Sequence, residues 1–126
     1  MIKEEKKLVL KTLIWECIEE GGNPLYQHIW ALNTLFPKNT PKENQRLASE
    51  TLKRLYQTKM VEFFYDIWGS NEAPEKINDN GTIHKIFTDS ILWEPPAIGG
   101  KCIIATATKK GEELYNKSNY DILISN

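Results

Sequence analysis

Cysteine and histidine are scarce: the 126 residues contain two of each. Cys17 falls in a helical apolar pattern and Cys102 in a strand-like run, so both read as small buried hydrophobes and not as a disulfide framework. His28 and His84 stand at no metal-ligand spacing with these cysteines, and each reads as a surface or half-buried side chain. Glycine is also sparse, at seven residues. Gly21-Gly22 and Gly99-Gly100 lack the flanking Lys-Ser/Thr, or the three-glycine spacing, of a phosphate-cradling loop. The carboxylates of residues 62–79 include no pair placed for general acid and base work. Binding without catalysis is therefore expected, with no metal and no cofactor. No run approaches the roughly 18 to 20 apolar residues that span a bilayer. The opening residues alternate charge where a secretory leader would run from cationic to apolar. A cytoplasmic protein with no membrane role is the expectation.

What is present is an ordinary globular composition, 40% apolar and 26% charged, in a length suited to one domain. The formal net charge of -1 conceals an uneven distribution. Residues 37–59 carry Lys38, Lys42, Arg46, Lys53, Arg54 and Lys59 against Glu43 and Glu50, a local +4. Residues 60–81 carry Glu62, Asp66, Glu72, Glu75 and Asp79 against Lys76, a local -4. Clustered cations favour nucleic acid because binding releases condensed counterions, so a chain-wide pI near 6 is compatible with one basic face. The acidic block beside it cuts the other way.

Apolar residues recur at three- and four-residue steps over residues 4–20, through Leu10, Leu13, Ile14, Cys17 and Ile18, and Gly21-Gly22 marks the stop. A second helix is expected with Asn23 as N-cap and Pro24 in its first turn, burying Leu25, Ile29, Leu32 and Phe36. The third has the clearest start: Thr40 and Glu43 form a capping box around Pro41. Its buried stripe is Leu47, Leu52 and Leu55, which directs Asn44, Gln45, Ser49, Glu50, Lys53 and Gln57 to solvent. Residues 60–68 read as a strand. The polar stretch 69–81 reads as mobile, and Asn80-Gly81 as a two-residue hairpin turn. Residues 82–87 and 91–93 are expected as strand pieces, followed by extended, partly packed backbone over 94–100, where Pro95-Pro96 prevents ladder pairing. Residues 101–106 resume as a strand, and Thr108 caps a last helix to about Lys117. Residues 118–126 read as a tail of uncertain order.

Leu52, Leu55, Met60 and Val61 describe a helix turning into a strand, and Thr108 with Gly111 describes a strand ending in a capped helix. With three helices before them, these two segments resemble the ends of a winged helix-turn-helix domain. The resemblance implies an α+β fold over residues 1–117, with a small antiparallel sheet, an extended wing at about 69–100 and a C-terminal helix. It also implies a third helix that lies in the major groove of double-stranded DNA, in a dimer that regulates transcription. Short phage and plasmid proteins of this kind often end similarly. Mapped onto this chain, Gln45, Arg46 and Ser49 face base edges, while Lys42, Lys53 and Gln57 approach the backbone. The interval between the wing strands is longer and more acidic than an ordinary wing. An alternative therefore stands beside the first: a protein-binding winged helix, an immunity protein or inhibitor, that offers Trp68, Glu72, Glu75, Asp79 and Trp93 to a basic protein.

Overall fold

A computed structural model describes residues 1–67, 71–97 and 99–124. Helix α1 (Lys3–Ile18) buries Leu10, Leu13, Ile14 and Cys17 of the stripe its spacing predicts, with Val9 beside them, while Ile18 is half-buried. The chain then turns through Glu20, Gly21 and Gly22, all at positive φ. Gly22 is needed there, because a Cβ would stand 2.6 Å from the Ala105 carbonyl oxygen and 2.5 Å from Thr106 Oγ1. That close approach seats β1 (Asn23–Pro24) against β4 (Lys101–Ala107). Asn23 is therefore a bridge residue and not the expected N-cap; helix α2 (Leu25–Leu35) begins after Pro24.

Helix α3 (Pro41–Gln57) starts at the expected capping box. Glu43 N donates to Thr40 Oγ1 at 3.1 Å, and Thr40 N donates to Glu43 Oε1 at 2.9 Å. Ala48, Leu52 and Leu55 are sealed in the core. Strand β2 (Val61–Ile67) follows, pairing antiparallel with β4 from Val61↔Ala107 to Ile67↔Lys101. The sheet order is β1-β4-β2-β3, with β3 (Glu75–Lys76) added at the outer edge of β2. Helix α5 (Lys109–Lys117) closes the expected order of elements, capped by Thr108. Among the described residues the architecture is α+β, five helices on a small antiparallel sheet, and no helix is long and apolar enough to cross a membrane.

The interval between β2 and β4 departs from expectation. Its described part is folded: β3 pairs with Phe64 and Tyr65, and Ile77 is buried. Residues 82–87 form no strand, and Asn80-Gly81 is no hairpin turn. Both belong to helix α4 (Asn80–Thr88), whose N-cap Asp79 accepts from Thr82 N at 2.8 Å and from Thr82 Oγ1 at 2.7 Å. Helical spacing explains the outcome, since Ile83, Ile86 and Phe87 turn one face inward. Residues 91–93 lie in a 3-10 turn (Ser90–Trp93), which Asp89 caps by accepting from Ile91 N at 3.1 Å. Trp93 is core, 3% exposed, with Nε1 donating to the Ile86 carbonyl at 2.8 Å. Phe87 completes a three-ring cluster with Tyr56 of α3 and Phe63 of β2. The tail is also held: Tyr120 and Leu123 are buried, and Asp121 pairs with Lys3 and Lys7 at 3.2 and 3.3 Å.

Candidate nucleic-acid interface

The proposed reading helix is fixed to its neighbour by three amides. Asn44 is fully buried where its position on the polar side of α3 predicted solvent. Its Nδ2 donates to Asn33 Oδ1 at 2.8 Å, and its Oδ1 accepts from Asn39 Nδ2 at 2.9 Å. A buried amide with both ends partnered is directional, so this network sets α3 against α2 and the turn between them. The expectation overlooked it because Asn33, Asn39 and Asn44 have no spacing that marks a network before the chain folds.

Around that anchor, Lys42, Arg46, Lys53 and Gln57 are exposed along α3, and Gln45 and Ser49 are half-buried. The structure gathers Lys42, Gln45, Arg46, Ser49 and Glu50 into one wall of a cleft of about 350 Å³. Lys53 and Gln57 lie outside it. The opposite side belongs to the insert, through Phe87, Thr88, Asp89, Ser90 and Trp93. Of these, Trp93 was expected as a contact for a protein partner; Phe87, Thr88, Asp89 and Ser90 were missed because 82–87 read as a strand, although Asp79 ahead of Ile83, Ile86 and Phe87 is a cap-and-stripe signal for a helix.

The cations of α3 and the carboxylates around it differ in their partners. Lys42, Arg46 and Lys53 enter none of the ion pairs among the described residues. Lys42 also lies in the first turn of α3, where the partial positive charge of the helix end disfavours a cation. Several acidic groups have structural partners. The Thr40 backbone N-H, then the Thr40 hydroxyl, hold the Glu43 carboxyl below its usual range. The Thr82 hydroxyl and N-H do the same for Asp79. Glu62 pairs with Lys76 at 3.2 Å.

The acidic and aromatic alternative is altered by the same geometry. Glu72, Glu75 and Asp79 are exposed, but Trp93 is not a surface aromatic, and Trp68 lies outside the described residues. Among the described residues of the insert, the exposed large apolar group is Ile91, at 68%.

His28 is fully buried, where a surface or half-buried side chain was expected, and neither ring nitrogen has a hydrogen-bonding partner. Burial holds its pKa down to about 4, against an opposing pull from the Asn23 backbone. Cys17 packs in the core, where burial and then Glu16 push its thiol pKa upward, while Cys102 is half-buried. Among the described residues no three His, Cys, Asp or Glu side chains cluster to hold a metal. No protein-family model, no curated protein and no solved structure matches the chain.

Proposed function

We propose that the chain is a winged-helix DNA-binding protein that sets α3 against double-stranded DNA, as a homodimer regulating transcription. The carrying observation is the exposed stripe of Lys42, Arg46 and Lys53, cations that form no ion pair among the described residues, on a helix held rigidly to α2. The sheet order supports the reading, since β4 lies between β1 and β2 and the long insert takes the position of a wing. Phosphates supply most of the attraction in such a contact, and Gln45 with Arg46 at the cleft supplies base recognition. Asp89 and Glu50 border the same surface, so affinity per protomer is modest, and a second copy doubles the cations presented.

Titration against generic duplex DNA at about 50 mM salt, then at rising salt, tests the reading. Phosphate contacts by Lys42 and Lys53 on each of two protomers give a log-log slope of roughly -3.6. Replacing Lys42, Arg46 and Lys53 together by Glu abolishes the affinity while leaving the circular dichroism spectrum unchanged. Absence of wild-type binding at about 50 mM salt overturns the proposal.

A further inference from the structure

The cleft beside α3 has a composition that a duplex alone does not explain. On its α3 side Lys42, Arg46 and Glu50 follow one another at four-residue steps, about 5–6 Å apart. Asp89 faces them from the insert, and Phe87 and Trp93 add aromatic lining. Two cations and two carboxylates therefore share one space, yet neither cation pairs with either carboxylate in the ion pairs of the described residues. A phosphate dianion placed there meets two carboxylates, and a simple cation meets two cations. A molecule with one charge of each sign finds a partner for both. The volume, about 350 Å³, lies within the range of roughly 300–1,000 Å³ typical of small-ligand sites.

The walls are also set in advance. Thr40 and Glu43 fix the start of α3, and Asn44 fixes its tilt. The Tyr56, Phe63 and Phe87 rings fix α4, and Asp89 fixes the turn beyond it. Preformed walls reduce the ordering cost of binding.

We propose that this cleft binds a small zwitterion with an apolar side chain, of the α-amino acid class. Its carboxylate meets Arg46 and Lys42, its ammonium meets Asp89 and Glu50, and its side chain packs on Phe87. Resting further on the DNA reading, the bound molecule covers Gln45, Arg46 and Ser49 and so competes with the duplex.

Calorimetric titration with L-phenylalanine tests the site without DNA. Phenylalanine binds at least tenfold more tightly than L-phenylalaninamide, which lacks the carboxylate, and N-acetyl-L-phenylalanine, which lacks the ammonium. Arg46→Gln narrows the gap to the amide. Asp89→Asn, which keeps an acceptor for the Ile91 N-H, narrows the gap to the acetyl compound. Equal binding of all three compounds, or no binding by about 10 mM phenylalanine, overturns the site. A duplex titration with and without phenylalanine separates the two readings. Phenylalanine binding with no duplex binding ends the DNA proposal and leaves the site. Binding of both without mutual displacement ends the competition alone.

Discussion

Helices α3 and α4 stand on opposite sides of one cleft and are held there by different means. α3 is seventeen residues long and carries a complete capping box, a buried amide network and three fully buried apolar residues. α4 has nine residues, a lone Asp cap, and an inner face of Ile83, Ile86 and Phe87. A helix this short is marginal alone, and tertiary burial stabilises it. The polar network specifies one orientation for α3, whereas the aromatic cluster positions α4 by packing. A charged site between them thus has one wall set by hydrogen-bond direction and one set by shape. Both walls touch α2, α3 through Asn33 and the turn after α4 through packing.

The largest expected effects test whether α4 is as integral as α3. Leu52→Ala and Ile86→Ala, both at fully buried positions, each cost about 2–5 kcal/mol, with one urea transition seen by every probe. If Ile86→Ala instead melts only part of the signal, the insert is a separate lobe and the comparison fails.

Acid loosens the shared support. The folded pKa of His28, about 4, lies below the ordinary 6.5. The unfolded ring therefore takes up a proton between those values that the folded ring excludes. Stability is full above about pH 6.5, falls by about 3 kcal/mol as pH drops towards 4, and then levels. Urea midpoints across this window measure the fall, and His28→Leu flattens that component.

The caps give the smallest effects. Thr40→Ala and Asp79→Ala each lose about 1 kcal/mol. Hydrogen exchange separates them: the first raises exchange in α3 and its amide network, and the second raises exchange chiefly in α4. Equal spreading from both sites would show the helices to be one cooperative unit.

The two helices also differ in how far the sequence discloses them. Thr40, Pro41 and Glu43 are a local signal, so the start of α3 is legible without tertiary knowledge. The start of α4 is masked by Asn80-Gly81, whose hairpin preference outweighs the weaker sign of Asp79 ahead of Thr82. β1 is illegible because two residues have no period, and only β4 defines them as a strand. The cationic wall of the cleft could be read because exposed charge on a helix follows its spacing. The Asp89 wall could not, since its position depends on Phe87 reaching the Tyr56 and Phe63 rings.

Thr108 offers a mechanical consequence. Its hydroxyl donates to the Lys59 carbonyl at 2.7 Å and accepts from Gly111 N at 3.2 Å, while Lys110 Nζ reaches the Thr58 carbonyl at 3.2 Å. A Cβ at Gly111 would collide with the Met60 carbonyl oxygen, so backbone lies on backbone at this crossing. The end of α3 and the start of α5 therefore form one joint. Tyr115 of α5 rests on Trp15 of α1, their ring centroids 5.4 Å apart. The end of α3 is thus tied through the start of α5 to Trp15 on the surface of α1, so three helices far apart in the sequence share one seam of direct contacts.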